Sequence, residues 1–301
     1  MVHSEPRPAA APEGSRRWAR LGRSLGFIRA ILARPMGGVA LGCVSLILLV
    51  ACFAPFIAPY DPLDIDIFSR LQPPSFHHWM GTDQLGRDVF SRVIFGTRTA
   101  MTVAGGSLGL STAFGLFLGL IAGYGPRWLD ALFLLCFDSV MSLPVIIFAL
   151  ALVTLLGPSL TTLIVIIVAF TTPGYARVVR SQTLVLKKTE YVLAARAMGA
   201  GVPRILLRHV MPNLFGPLLV LVSMDVTTVI TVESGLSFIG LGVQPPTPSW
   251  GSILNDGYSF IHMAWYLVLD GGLPIVVATI GFNFLGETIR DVLDPKLRGG
   301  R

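Results

Sequence analysis

Asp138, Asp225 and Glu233 each interrupt a long apolar run. A carboxylate at such a position is expensive in lipid, so it must face protein or a water-filled path, where it pairs, relays protons or contacts a solute. Asp225 and Glu233 are eight residues apart, as are Asp130 and Asp138. That spacing, about two helical turns, reads as a shared face. The three intramembrane acids are therefore candidates for lining a translocation path or gate, with structural pairing as the plain alternative. A second constellation is Asp83, Arg87 and Asp88, spaced for pairing along a helix. Thr82 or Asp83 is placed to cap such a helix from about Gln84, with Gly81 and Gly86 shaping its approach. An outer helix packed on the bundle without ligand contact fits these residues equally well, because surface charges pair cheaply.

The third constellation is a docking surface. Residues 187–217 are polar and basic in an otherwise apolar chain. Small residues Ala194, Ala195 and Gly199 permit close approach of another backbone. Pro203 suits the first turn of a second short helix, Arg204 and Arg208 fall one turn apart, and Ile205 and Leu206 supply apolar contact. Pro212 and Pro217 are expected to close the segment. Catalytic signatures are missing: the sequence contains no phosphate-binding glycine loop, no zinc-protease helix motif, no paired-cysteine motif and no nucleophile elbow. The adjacent His77 and His78 point apart and read as a solvated loop pair rather than metal ligands. Cys43, Cys52 and Cys136, odd in number and all in apolar runs, read as small hydrophobes.

The elements that must position these residues are membrane spans. In 301 residues the chain is 53% hydrophobic and only 13% charged, with a mean hydropathy of +0.70, the composition of an all-α integral membrane protein. At about 20 residues per span, six transmembrane helices fit: residues 36–59, 98–124, 129–156 with a kink at Pro144, 160–170 broken at Thr172-Pro173-Gly174, 214–241 and 265–285. The many Gly residues of the second span, among them Gly105, Gly106, Gly109, Gly115 and Gly119, suit tight packing. Leu49-Val50-Ala51-Cys52 has the form of a lipoprotein cleavage box, but apolar sequence continues past it, so a plain anchor is expected.

Charge sets the orientation. Residues 1–36 form a basic tail, with Arg7, Arg16, Arg17, Arg20, Arg23, Arg29 and Arg34 against Glu5 and Glu13. Residues 177–213 carry Arg177, Arg180, Lys187, Lys188, Arg196, Arg204 and Arg208 against Glu190 alone. Both belong on the cytoplasmic side, as does the end of the chain with Arg290, Lys296, Arg298 and Arg301. Residues 60–97, richer in Asp than Arg, and residues 243–263, without Lys or Arg, belong outside. The basic balance thus reports membrane orientation, not nucleic-acid binding.

At three places the sequence resembles a known family. LAARAMG over residues 193–199, followed by His209-Val210-Met211-Pro212, is similar to the "EAA" loop of permease subunits in bacterial binding-protein-dependent ABC importers; Ala194, Ala195, Gly199 and Pro212 match, while Leu193 replaces the Glu, His209 the Ile and Met211 the Leu. GTDQLGRDVFSRVIFGTR over residues 81–98 and ESGLSFIGLG over residues 233–242 resemble the dipeptide, oligopeptide and nickel branch, in the subunit type with the short first loop. The resemblance implies a type I importer permease fold in the bacterial inner membrane. It also implies a coupling helix seated in a groove of an ATPase subunit, a second homologous permease and a periplasmic solute-binding protein. ATP and Mg would reside on one or two partner ATPases, and no cofactor on this chain. Small peptides are the expected solutes; a nickel chelate or glutathione is the alternative within the branch. Outside it, the rival is an ion-coupled secondary transporter using Asp138, Asp225 and Glu233, although no internal repeat of the kind such proteins show is visible.

Overall fold

The computed structural model describes residues 29–293 and is helical throughout. Residues 1–28 of the expected tail at residues 1–36, and the basic residues after 293, lie outside the described residues. Helix α1, Pro35–Ile57, starts with proline in its first turn, where the missing N–H has no intrahelical partner to lose. Its buried face, Gly37, Ala40, Val44, Ile47, Ala51 and Ala54, recurs every three or four residues and lies against α2 and α10. Helix α2, Val89–Tyr124, is 36 residues long, about 54 Å, and so overshoots a hydrocarbon core of about 30 Å.

Helices α3, Arg127–Met141, and α4, Val145–Leu156, meet at a bend of 92°. Pro144 does more here than kink a continuous span, since it ends one helix and caps the next. Helix α5, Leu160–Leu186, corrects a second expectation. The break foreseen at Thr172-Pro173-Gly174 does not occur, and the helix runs unbroken through a buried Pro173. A membrane helix tolerates proline where a neighbouring helix supports it, and here α2 does. Helix α6, Glu190–Ala197, ends at Met198 and Gly199; α7, Val202–Ile205, continues through a single π-helical turn at Leu206–Val210 into α8, Met211–Phe238. Pro212 and Pro217 therefore do not close the segment. Pro212 occupies the first turn of α8 and Pro217 lies inside it, so the hairpin's second arm is rigidly continuous with a span. Residues 243–263, expected as loop, hold α9, Trp250–Ser259, started by a reciprocal Ser249/Ser252 capping box. Helix α10, Tyr266–Leu293, runs past the expected end at residue 285.

Among the described residues five helices are long and apolar enough to cross a membrane, counting Val202–Phe238 as one, and the bent pair α3 and α4 makes up to six. The ends of the described chain meet where Arg34 pairs with Asp291. That end also holds Gln182 and Gly216 beside Arg290, so the hairpin emerges there. Residues 60–88 and α9 occupy the opposite end.

The most extensive packing is between α2 and α5. A Cβ placed on Gly115 would lie 2.3 Å from Tyr175 Cβ, one on Gly119 2.5 Å from the Ala176 carbonyl oxygen, and one on Gly123 2.7 Å from Thr183 Cβ. These three glycines, four apart, form the seam on which α5 lies. Gly105 and Gly109, equally prominent in the sequence, face open space. Gly119→Ala should thus destabilise the detergent-solubilised protein by about 1–3 kcal/mol, the usual range for overpacking, visible as a lowered melting temperature. Gly105→Ala should leave it unchanged or raise it slightly, as replacing an uncrowded helical glycine does.

Candidate functional site

The hairpin has two faces. Val192, Ala195, Ile205 and Val210 are buried and join the main core. Ala194, Gly199, Arg204, Arg208 and Pro212 are exposed. Ala195 and Ile205, expected among the docking contacts, therefore face the bundle: successive helical positions are about 100° apart, and the large Ile205 is drawn inward by its apolar side chain. The contacts left free are ones the sequence reading passed over: Tyr191, Leu193, Met198, Val202 and Leu207, with Met198 82% exposed. Their signal was position, for Met198 and Val202 flank the turn at Gly199. Gly199 takes φ +83, a conformation few other residues adopt, and open space surrounds it. The exposed face thus sets apolar side chains beside the exposed Arg196, Arg204 and Arg208. The arms meet where Asn213 Nδ2 donates to the Tyr191 hydroxyl at 3.5 Å and the Tyr191 and His209 rings lie 6.4 Å apart. At the root, Lys187 Nζ donates to the Gly123 carbonyl at 2.7 Å, joining the hairpin to the end of α2.

The three intramembrane acids do not share a path. Asp138 pairs with Arg177 and Asp130 with Arg180, both bonds tying α3 to α5. Glu233 is fully buried at the outer end of α8, where Ser237 Oγ donates to it at 2.9 Å and Ser234 Oγ at 3.1 Å. Gly251 of α9 approaches so closely there that a Cβ would stand 2.2 Å from the Ser234 carbonyl oxygen. Glu233 is thus enclosed between α8 and α9, and the expectation that it faces a path is corrected. Eight residues span 2.2 turns, so Glu233 stands about 80° round the helix from Asp225. Asp225 alone lines a cavity, one of about 250 Å³ between the α3/α4 bend, α5 and α8, with Met141, Ile167, Thr171, Gly174 and Leu221 among its walls. Leu221 also borders a second cavity of about 660 Å³, lined by Val178, Gln182, Pro217 and Arg290. Both cavities lie between α5 and α8, and Leu221 lines each of them.

At the other end Asp83, Arg87 and Asp88 are all buried. Asp83 is not a helix cap. Its carboxylate closes a tight turn, accepting from the backbone N–H of Leu85 at 2.8 Å and of Arg87 at 3.0 Å and from Arg87 Nε at 2.7 Å. Gly86 at φ +75 makes that turn possible, pressed against the Asp66 carbonyl. Asp83 and Arg87 keep their pairing without a helix between them. Arg92 Nε also stands 3.3 Å from Asp83, and Arg87 reaches Asp256 of α9 at 3.9 Å. Burial pushes the Asp256 carboxyl above its ordinary pKa. The cap belongs to Asp88, which accepts from Ser91 N at 2.8 Å and pairs with His78 Nδ1 at 2.9 Å rather than with Arg87. His78 thus joins a pair, contrary to its reading as a solvated loop residue. Among the described residues no group of His, Cys, Asp and Glu is arranged to hold a metal ion. The cluster clasps residues 60–88 to the start of α2 and to α9, and Tyr266 Oη adds a bond to the Gln72 carbonyl at 2.7 Å.

The chain is similar to known proteins. Residues 115–299 match the family described as binding-protein-dependent transport system inner membrane component, and residues 26–74 match the N-terminal transmembrane domain of oligopeptide transport permease C. The chain is 38% identical over 260 residues to the dipeptide transport system permease protein DppC of Alkalihalophilus pseudofirmus, covering 86% of each chain. It is 37% identical to the di/tripeptide transport system permease protein DppC of Pseudomonas aeruginosa, over 85% of this chain and 88% of the relative. The glutathione transport system permease protein GsiD of Pectobacterium atrosepticum is 37% identical over 90% of this chain and 91% of its own length. A solved structure of the MetNI methionine ABC transporter in inward-facing conformations has a TM-score of 0.53 at 18% identity, covering 68% of this chain and 97% of that one, and shows the same fold. With the hairpin at one end, the clasp at the other and a family match over most of its length, the chain belongs to the inner membrane components of binding-protein-dependent transport systems, in their dipeptide and oligopeptide branch.

Proposed function

We propose that this chain is one of two homologous permease subunits of an ATP-driven importer of small peptides in the bacterial inner membrane. It crosses with six spans, α3 and α4 together forming one, and keeps both termini in the cytoplasm. Residues 1–36 are then a cytoplasmic tail and residues 37–301 the permease domain. Residues 60–97 and 243–263 face the periplasmic binding protein, and residues 177–213 are the cytoplasmic coupling loop. Partner ATPase subunits bind ATP and Mg. When they close, they push the hairpin, and α5 and α8 carry the displacement into the bundle as a rigid-body motion.

The observation that carries this reading is the hairpin itself, with apolar Met198, Val202 and Leu207 exposed on a basic loop at one end of the bundle. Such a surface calls for a protein groove to cover it. The peptide class rests on relatives named as dipeptide and di/tripeptide permeases. The relatives named as glutathione permeases favour a second, narrower reading, since glutathione is itself a small peptide. The ion-coupled alternative is weakened because Asp138 is engaged by Arg177 and Glu233 is enclosed.

Two outcomes are expected. Peptide uptake by cells carrying the importer should survive proton and sodium ionophores and cease when ATP is depleted; the reverse pattern would establish an ion-coupled carrier. Gly199→Val should leave membrane insertion intact, because space around Gly199 is open and the cost is local strain of about 1–3 kcal/mol. It should nonetheless abolish uptake and the stimulation of ATP hydrolysis by loaded binding protein, and a variant that retains both would remove the hairpin from the coupling route.

A further inference from the structure

The smaller cavity between α5 and α8 contains a carboxylate without a counter-ion. Asp225 is the only charged residue lining this 250 Å³ compartment, whose other walls are apolar side chains, Gly174, Thr171 and Thr228. The basic residues of α5 nearest that compartment are already engaged, Arg177 by Asp138 and Arg180 by Asp130. Lys187 donates to the Gly123 carbonyl, and Arg290 lines the other cavity, which Leu221 also borders. Beside Asp225 stand the hydroxyls of Tyr175 and Thr112. Tyr175 is 1% exposed, and its hydroxyl faces the Asp225 carboxylate, a neutral donor that supplies no charge.

A lone carboxylate in an apolar lining is costly unless something pairs with it. Here the described residues supply no cation. We propose that the pairing group comes from the solute: Asp225 holds the protonated amino group of a peptide in transit, making the cavity selective for solutes with a free ammonium end. This rests on the peptide-import reading above. The compartment is smaller than pockets that enclose a whole drug-sized ligand, about 300–1,000 Å³. It has room for one end of a peptide, while the remainder extends toward the larger cavity that Leu221 also lines. Asp138 and Glu233 do not serve in this way, the first being held by an arginine and the second by serines.

The test uses cells in which the complete importer carries the variant chain, with radiolabelled trialanine as the probe. Assembly is followed by co-purification of the subunits that accompany the wild-type chain, and coupling by stimulated ATP hydrolysis. Asp225→Asn keeps the size of the side chain and an acceptor for Tyr175 but removes the charge. It should lower uptake about tenfold or more, the scale of a lost charge-assisted hydrogen bond, with assembly and stimulated ATP hydrolysis retained. Asp225→Glu should recover much of the loss, and Tyr175→Phe should stay within about twofold of wild type. Undiminished uptake in Asp225→Asn, or an equal loss in Tyr175→Phe, overturns the proposal, the latter by assigning Asp225 a purely structural bond. Failure of Asp225→Asn to assemble overturns it likewise. If the wild-type importer takes up no peptide at all, the peptide reading itself fails and this assignment falls with it.

Discussion

Gly115, Gly119 and Gly123 bring α2 and α5 into backbone contact, and the rest of the structure depends on that seam. Lipid gives helices no hydrophobic reason to associate, so close van der Waals approach between small residues must hold them together. Because α5 is supported along this line, it passes Pro173 without a break. Because α5 continues past Pro173, its Arg177 and Arg180 sit where α3 presents Asp138 and Asp130. The same helix ends at the hairpin root, and Lys187 ties that root to Gly123, the last glycine of the seam. Docking loop, charge pairs and cavity wall thus share one support.

The bundle treats its charges in four distinct ways. Asp130 and Asp138 are matched to arginines one helix away. Asp83 is buried with Arg87 and Arg92 and accepts backbone donors as well, the pairing and hydrogen bonding that offset the cost of burying a carboxylate. Glu233 is satisfied by hydroxyls of its own helix. Asp225 lines a cavity and forms no ion pair among the described residues. The acids differ less in chemistry than in what the neighbouring helix offers them.

The hairpin shows the complementary situation at the water-facing end. Its buried face, Val192, Ala195, Ile205 and Val210, fastens it to the core, and its exposed apolar residues are left for a partner. The first arm ends at Gly199, whereas the second continues through the π turn into α8, the helix that carries Asp225.

Composition and charge placement, read from the residues alone, determined the membrane class, the apolar spans and the basic hairpin, because span length and the cost of buried charge are properties of local sequence. The Gly-Thr-Asp and Glu-Ser-Gly strings likewise sufficed for the family resemblance. Partners across helices were not legible. Asp83 and Arg87 were visible as a pair, but that they close a turn and reach α9 follows from Gly86 and from helix packing. Asp225 and Glu233 looked equivalent in the sequence and differ because an offset of about 80° turns one toward a cavity and the other toward α9. Pro173 was read as a break and is not one, since whether a proline interrupts a membrane helix depends on the neighbour that supports it. The sequence by itself determined which residues must leave water and which must not; only the tertiary structure decided what each buried group meets, because that depends on contacts between residues far apart in the chain.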